Sequence, residues 1–300
     1  MKTFTRSEDM KIGFIGLGIM GRPMVKNLVA HGHEVFVNDV NVEAVERVVE
    51  YGASSVDSLQ EMASKSEVVI TMLPNAQIVE SVLFSETNGI AEYLSPGQMV
   101  IDMSSLGPND SIAISEKLKS LEIRFADAPV SGGEPLAISG ELSVMAGCNE
   151  SDLEYIQEVI SPMAASIVRV GGIGAGSTVK LANQIIVNVN IAALSEAVVL
   201  AKKYNIDLEK MHDAIGGGLA GSSVMEAKFP KMIEEDYSPG GPININYKDL
   251  KNVTDAADSV DLTLPVTNMV KEIYKSEKAS GNGINDHSGI IKYFEKINNM

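Results

Sequence analysis

The sequence predicts an α/β protein with a doubly wound, mostly parallel sheet, followed by an all-helical second domain. Three observations predict this. Short apolar runs alternate with helix-like segments in the first half, a glycine-rich turn joins the first strand to the first helix, and long helical segments dominate after residue 176. Alternating strands and helices are typical of a parallel sheet covered by helices on both faces.

The predicted strands are short and rich in valine, isoleucine and phenylalanine, as strands buried on both faces usually are. They cover residues 11–15, 34–39, 68–72, 99–102, 124–128, 142–146 and 167–170. Helices are predicted at residues 20–30, 42–50, 76–84, 110–120 and 151–163.

The second half begins with residues 178–204, which contain neither proline nor glycine and predict one long interdomain helix. Further helices follow, separated by glycine and proline at 216–218, 239–242, 265 and 281–283. We therefore predict a flexible extension at residues 1–9, a dinucleotide-binding domain at 10–173 and a helical substrate and oligomerisation domain at 174–300.

The composition narrows the class of protein. The chain has 300 residues, of which 45% are hydrophobic, enough for two domains of about 150 residues each. Asp and Glu outnumber Lys and Arg by 40 to 24, a formal net charge of −16. A surface this negative repels nucleic acid and anionic lipid, although a local pocket can still bind a small carboxylate.

The cysteine and histidine content indicates a cytoplasmic protein without a metal site. Cys148 is the single cysteine, and the four histidines have no partners at metal-ligand spacing.

The start of the chain has no apolar stretch of the kind found in signal peptides. The apolar run 185–201 includes two asparagines, a serine and a glutamate, so we expect a buried helix and no membrane span.

The glycine-rich turn reads Gly16-Leu17-Gly18-Ile19-Met20-Gly21 and lies between the first strand and the first helix. In a Rossmann-type fold the first glycine of this pattern permits a tight turn, and the second admits a pyrophosphate. The third lets helix and strand pack closely. These six residues are predicted to bind the dinucleotide, and an ordinary glycine turn is the alternative.

Asn38 and Asp39 end the second strand, near the spacing of about 20 residues at which a carboxylate binds the adenosine ribose. A carboxylate repels a 2′-phosphate, and the next residue is Val40 where NADP-binding chains can carry an arginine. NAD is therefore predicted over NADP. The alternative is that Asp39 only caps the helix that follows.

Three further loops follow strands of the sheet. Leu73 and Pro74 follow the third strand and Ser105 follows the fourth, at the edge where open parallel sheets bind ligands. After the fifth strand, Ser131 offers a hydroxyl, and the backbone N–H groups of Gly132 and Gly133 could bind a small carboxylate. Each segment taken alone also fits an ordinary loop or turn.

The long helix carries the candidate catalytic residues. Lys180, Asn183 and Gln184 stand at i, i+3 and i+4, so they share one face. Most helical lysines are solvated. This polar trio, however, interrupts an apolar surface directly after the glycine-rich stretch 171–176.

Taken together, these motifs resemble the β-hydroxyacid dehydrogenases over residues 10–296. The resemblance rests on GFIGLGIMGRPM, TMLPN, DAPVSGGEPLAISGELSVMAG, GGIGAGSTVKLANQ and the later KDL and DHS segments. It implies that Lys180 is the catalytic lysine, that residues 131–133 bind the substrate carboxylate, and that Ser105 and Lys248 contact the cofactor. Asn183 or Gln184 would then fix the substrate oxygen or orient the lysine.

Within that family the chain is most similar to the branch that reduces tartronate semialdehyde, which also has glutamine at the position of Gln184. It departs from that branch at Gly216, where an arginine is usual, and at Gly241, where an aromatic residue is common. The resemblance implies NADH-dependent reduction of a small 3-oxo acid. Oxidation of 3-hydroxyisobutyrate or a related acid is the alternative, and a non-catalytic dinucleotide-binding module is a more remote one. A homodimer or homotetramer is expected from the long apolar helix.

Overall fold

A computed structural model describes residues 9–300 of the chain. The predicted extension at residues 1–9 lies outside the described residues except for Asp9. The chain divides into two compact units, of which the first ends at Lys180 and the second spans Leu181–Met300. This division falls inside the long helix, whereas the sequence analysis placed the domain boundary just before it.

Within residues 9–300, nine strands form one sheet in the first unit. They are β1 (Lys11–Ile15), β2 (Glu34–Asn38), β3 (Ser54–Ser55), β4 (Val68–Thr71), β5 (Met99–Asp102), β6 (Arg124–Asp127), β7 (Val130–Ser131), β8 (Leu142–Gly147) and β9 (Ala164–Gly171). Their order is β3-β2-β1-β4-β5-β6-β8-β7, with β9 also paired to β8. The pairs from β3 to β6 and the β8–β9 pair are parallel, while β8 runs antiparallel to β6 and β7.

Helices cover both faces of this sheet, which confirms the predicted doubly wound fold. They are α1 (Gly21–Ala30), α2 (Val42–Val49), α3 (Leu59–Lys65), α4 (Ala76–Phe84), α5 (Pro108–Lys119), α6 (Gly133–Ser139) and α7 (Leu153–Ile160). Side chains alternate between two cores: Val68 and Ile70 of β4 face the core that includes α1, α2, α6 and α7, and Val69 faces the core that includes α3, α4 and α5.

The second unit is helical, as predicted. The long helix α8 (Ala175–Lys203) leads into α9 (Leu208–Ile215), α10 (Ser223–Glu234), α11 (Ile243–Asp258), α12 (Pro265–Glu277) and α13 (Ile291–Ile297). By length and composition α8 is apolar enough to cross a membrane, but half of its apolar window is buried inside the protein. Such burial is also typical of a core helix in a globular domain.

The structure differs from the predicted elements mainly at their ends. Strands predicted to end at residues 39, 72 and 128 stop one residue earlier, and β9 starts at Ala164, ahead of the predicted residue 167. The short elements β3, β7, α3 and α6 were not predicted. They have two to seven residues, too few for a hydrophobic period to be visible in the sequence.

Candidate active site

The carboxyl ends of four parallel strands lie level with one another in the first unit. Ile15 of β1 pairs with Thr71 of β4, Thr71 pairs with Asp102 of β5, and Asp102 pairs with Asp127 of β6. The loops that carry the predicted dinucleotide and substrate residues leave the sheet from this row. Open α/β sheets bind their ligands at this edge.

The three glycines of the turn between β1 and α1 have three different environments. Gly16 has φ +103°, and a Cβ there would lie 2.3 Å from the carbonyl oxygen of Met72. A Cβ on Gly21 would lie 1.9 Å from the carbonyl oxygen of Gly16, whereas a Cβ on Gly18 would meet nothing within 4 Å. Gly16 and Gly21 are therefore required by the protein's own backbone, and Gly18 leaves the open space that a diphosphate needs.

Alanine at Gly18 and alanine at Gly21 should therefore affect different properties, coenzyme binding in the first case and stability in the second. We expect Gly21→Ala to lower the free energy of unfolding by about 1–3 kcal/mol, because its methyl group overpacks a rigid backbone contact. Gly18→Ala should leave the melting temperature unchanged and weaken NADH binding about tenfold, a loss of about 1.4 kcal/mol. Thermal denaturation and fluorescence titration with NADH measure the two effects. Equal stability losses in both variants would contradict this assignment.

Asp39 follows directly after β2 and organises the same turn. Its Oδ2 accepts a hydrogen bond from the backbone N–H of Leu17 at 2.6 Å, and its Oδ1 accepts one from the N–H of Asn41 at 2.7 Å. The N-cap of α2 is Asn41, whose side chain accepts from the N–H of Ala44. The alternative in which Asp39 caps this helix is therefore wrong.

The loops after β4 and β5 are held together by a buried carboxylate. Oδ1 of Asp102 accepts hydrogen bonds from the hydroxyls of Thr71 at 2.7 Å and Ser104 at 2.6 Å. The Ser104 hydroxyl oxygen in turn accepts from the N–H of Leu73 at 2.9 Å. This chain of bonds fixes the segments that carry Leu73, Pro74 and Ser105.

The predicted carboxylate loop lies between two short elements. Ser131 ends β7 and pairs with Ser143 of β8, while Gly132 and Gly133 have φ values of +128° and +65°. A Cβ on Gly132 would lie 2.7 Å from the Cβ of Leu136, so a larger residue would clash with the start of α6. Both glycines are exposed and Ser131 is partly exposed, so all three are accessible to a ligand.

Asp127 joins this loop to the helix that carries Lys180. It is fully buried at the end of β6, where Oδ1 accepts from the N–H of Gly174 and Oδ2 from the N–H of Ser177, both at 2.7 Å. Burial raises the pKa of Asp127 to about 6, although the two backbone hydrogen bonds oppose the shift. A Cβ on Gly176 would lie 2.4 Å from the carbonyl oxygen of Asp127, so α8 begins in direct contact with the strand end.

The predicted catalytic residues of α8 fall on both sides of the division between the two units. Lys180 is half-buried and is the last residue of the first unit. In the second unit, Asn183 donates to Oε1 of Gln184 at 2.9 Å, and Gln184 donates to Oδ2 of Asp249 at 2.6 Å. Lys248 Nζ lies 3.0 Å from Oδ1 of Asp249. The structure thus brings Asn183, Gln184 and Lys248 together around one buried carboxylate.

The two positions that depart from the tartronate semialdehyde branch lie in different places. Gly216 is the C-cap of α9. Gly241 precedes α11 and donates its N–H to the buried Asp286, which also forms a 2.9 Å ion pair with Lys228. A Cβ on Gly241 would lie 3.1 Å from Nε2 of His287, a buried imidazole whose pKa is lowered by burial to about 4. Glycine therefore leaves room for a neutral histidine ring.

Sequence reasoning missed two of these residues. Asp127 and Asp249 stand inside motifs that it used, DAPVSGG and KDL, but no role was assigned to either. The carboxylate in each motif could have identified these two residues as candidates. The partner of Asp127, Ser177, is 50 residues away in sequence, and the partner of Asp249, Gln184, is 65 residues away, so the sequence does not reveal the contacts themselves. Among residues 9–300, no cluster of histidine, cysteine or carboxylate side chains could hold a metal ion.

Comparisons with known proteins identify the family of this chain. Residues 11–172 match a family model described as the NAD binding domain of 6-phosphogluconate dehydrogenase. Residues 174–294 match one described as NAD-binding of NADP-dependent 3-hydroxyisobutyrate dehydrogenase. A solved 3-hydroxyisobutyrate dehydrogenase from Mycobacterium tuberculosis has a TM-score of 0.88 at 30% identity and covers 96% of this chain and 99% of its own.

The family models and relatives show an oxidoreductase that binds a nicotinamide dinucleotide and acts on a hydroxyl group or the corresponding carbonyl group. Two relatives are each 37% identical and cover 97% of this chain. They are a 2-(hydroxymethyl)glutarate dehydrogenase from Eubacterium barkeri, covered over 96% of its length, and a 2-hydroxy-3-oxopropionate reductase from Escherichia coli, covered over 99%. The chain belongs to the β-hydroxyacid dehydrogenase family.

Proposed function

We propose that this protein uses NADH to reduce the aldehyde of a small 3-oxo acid, with tartronate semialdehyde as substrate and D-glycerate as product. Lys180 is the proton donor, and residues 131–133 bind the substrate carboxylate. The proposal extends the family assignment to one substrate, one coenzyme and named residues.

The observation that carries this proposal is the pair of hydrogen bonds made by Asp127. The strand that ends at Asp127 leads into the Ser131 loop, and the same carboxylate caps the first turn of α8 at Ser177. Lys180 follows Ser177 by three residues, about one helical turn. The predicted proton donor and the predicted carboxylate loop are therefore both anchored to the end of β6.

The reaction requires one hydride and one proton. A bound NADH supplies the hydride to the aldehyde carbon. The oxygen of the former carbonyl group then takes a proton from the Lys180 ammonium group, which also stabilises negative charge developing on that oxygen. The products are the hydroxy acid, oxidised dinucleotide and neutral lysine, which regains its proton from solvent.

The choice of tartronate semialdehyde rests on sequence. The DAPVSGGEP and KLANQ segments and the glutamine at position 184 support it, as does the relative from Escherichia coli. A second candidate is a longer acid such as 2-formylglutarate, the oxidised partner of 2-(hydroxymethyl)glutarate. It is favoured by the equally similar relative from Eubacterium barkeri.

NADH is the proposed coenzyme because Asp39 stands at the end of β2. A carboxylate there hydrogen-bonds a ribose hydroxyl and repels a 2′-phosphate. The open space at Gly18 fits the diphosphate of either coenzyme. The preference for NAD(H) or NADP(H) therefore depends on the residues around the adenosine ribose, of which Asp39 is one.

The test is a panel of aldehyde acids assayed by absorbance of the reduced nicotinamide. It includes tartronate semialdehyde, methylmalonate semialdehyde and 2-formylglutarate, each with NADH and NADPH. We expect the highest kcat/KM for tartronate semialdehyde with NADH. If either of the other acids had the higher kcat/KM, that acid would be assigned as the substrate in place of tartronate semialdehyde. If the protein bound NADH but turned over none of the acids, the non-catalytic dinucleotide-binding module would be favoured.

A further inference from the structure

A cavity of about 260 Å³ lies beside the glycine-rich turn in the first unit. Gly18 and Arg22 line it from the turn and α1, and Asn41, Glu43 and Arg47 line it from the start of α2 and along that helix. Both arginines therefore lie along the wall of a cavity that also contains the open face of Gly18. None of these residues belongs to the cluster around Asp249.

The two arginines differ from the others that the structure describes. Arg124 forms an ion pair with Asp152, and Arg169 donates to the carbonyl oxygen of Cys148. Arg22 and Arg47 form no side-chain hydrogen bond or ion pair with any residue in the range 9–300. In a chain of net charge −16, two arginines that line one cavity and have no side-chain partner favour an anionic ligand, because guanidinium groups bind phosphate with paired hydrogen bonds.

The position of the cavity indicates which phosphate it would bind. Asn41 lines it two residues after Asp39, and Oδ1 of Asp39 accepts from the N–H of Asn41. The end of β2 is where dinucleotide-binding folds distinguish the ribose 2′-hydroxyl from a 2′-phosphate, a carboxylate favouring the former and an arginine the latter. Val40, where an arginine would be expected, is fully exposed and adds no charge.

We propose that Arg22 and Arg47 form a binding subsite for the 2′-phosphate of NADP(H), and that the Asp39 carboxylate alone gives NAD(H) the preference. The inference rests on the proposed dinucleotide function. The cavity wall already includes two arginines that can bind a 2′-phosphate, and Glu43 is the one carboxylate in that wall. Removing the negative charge of Asp39 should therefore be enough to admit NADP(H), without any new arginine.

The test is isothermal titration calorimetry with 2′,5′-ADP and 5′-AMP, which differ at the 2′ position and need no substrate. Wild type should bind 5′-AMP the more tightly. In Asp39→Asn, which keeps one acceptor for the turn, the affinity for 2′,5′-ADP should rise about tenfold or more relative to 5′-AMP. Adding Arg22→Ala or Arg47→Ala to that variant should abolish the gain.

Two controls make the outcome decisive. Lys26→Ala removes a cation one turn further along α1, outside the cavity wall, and should leave the gain intact. Affinity for 5′-AMP reports whether each variant is folded. No gain in Asp39→Asn, or a gain that persists without both arginines, would overturn the inference. The substrate panel tests the proposed function separately, so the two can fail independently.

Discussion

Replacing Lys180 with alanine is expected to lower kcat by about 10²- to 10⁴-fold, the usual contribution of a positioned general acid. In the proposed mechanism, the ammonium group of the half-buried Lys180 supplies both the proton and the positive charge for the developing alkoxide. Because residues 16–21 and Asp39 remain unchanged, NADH should bind as in wild type. Stopped-flow measurement of NADH oxidation and fluorescence titration of NADH separate the two effects.

Two matched variants sharpen this test. Lys203→Ala removes a lysine from the last turn of the same helix and should leave turnover unchanged. Lys180→Arg keeps the positive charge, but a guanidinium group holds its proton too tightly to be a good acid, so little activity should return. If Lys180→Ala retained near-normal turnover while binding NADH, another residue would have to be the proton donor.

Replacing Asp127 with alanine should lower both stability and turnover. The substitution leaves the N–H groups of Gly174 and Ser177 without partners in a buried site. Each unsatisfied group costs about 1–3 kcal/mol, so the free energy of unfolding should fall by about 2–6 kcal/mol. Because Asp127 fixes the first turn of α8, kcat should fall with it, while the affinity for NADH is preserved. Denaturant unfolding and steady-state kinetics measure the two losses.

Ser111→Ala is the matched control for Asp127. The Ser111 hydroxyl lies 2.9 Å from that of Ser177, so its loss disturbs the same helical turn without removing the carboxylate. We expect a stability loss of about 1 kcal/mol and nearly unchanged kcat. Asp127→Asn, which retains one acceptor, should recover part of the turnover lost in Asp127→Ala. Equal kcat in wild type and Asp127→Ala would show that the carboxylate does not position the lysine.

The sequence predicts the elements that depend on local pattern. The strands of the parallel sheet, the glycine-rich turn and the long helix all have a hydrophobic period or a residue type that identifies them. Gly16 and Gly21 have the close backbone contacts that the motif predicts. The assignment of the α2 cap was less direct, because Asp39 and Asn41 are both good capping residues and only the observed hydrogen bonds distinguish them.

Contacts between distant segments were not predictable in this way. Gln184 was expected to orient the lysine or the substrate, but its amide also donates to Asp249, a residue on another helix. Likewise, the glycine at 241 reads in sequence as lost bulk. The structure explains the glycine, because a side chain at position 241 would come too close to the ring of His287. The sequence alone reveals neither the Gln184–Asp249 contact nor the Gly241–His287 contact, since each depends on how separate helices and loops pack.

The anchoring of α8 also fixes its rotational phase. Asp127 sets where the helix begins, and each added residue turns all that follow by about 100° and advances them by 1.5 Å. One residue inserted between Ser177 and Lys180 would therefore carry the ammonium group to a different side of the helix. A residue inserted between residues 172 and 173, after β9 and ahead of the anchored turn, would be absorbed as a longer loop. Around the start of α8, a change in chain length compatible with catalysis is therefore expected in the loop before the helix and not between Ser177 and Lys180.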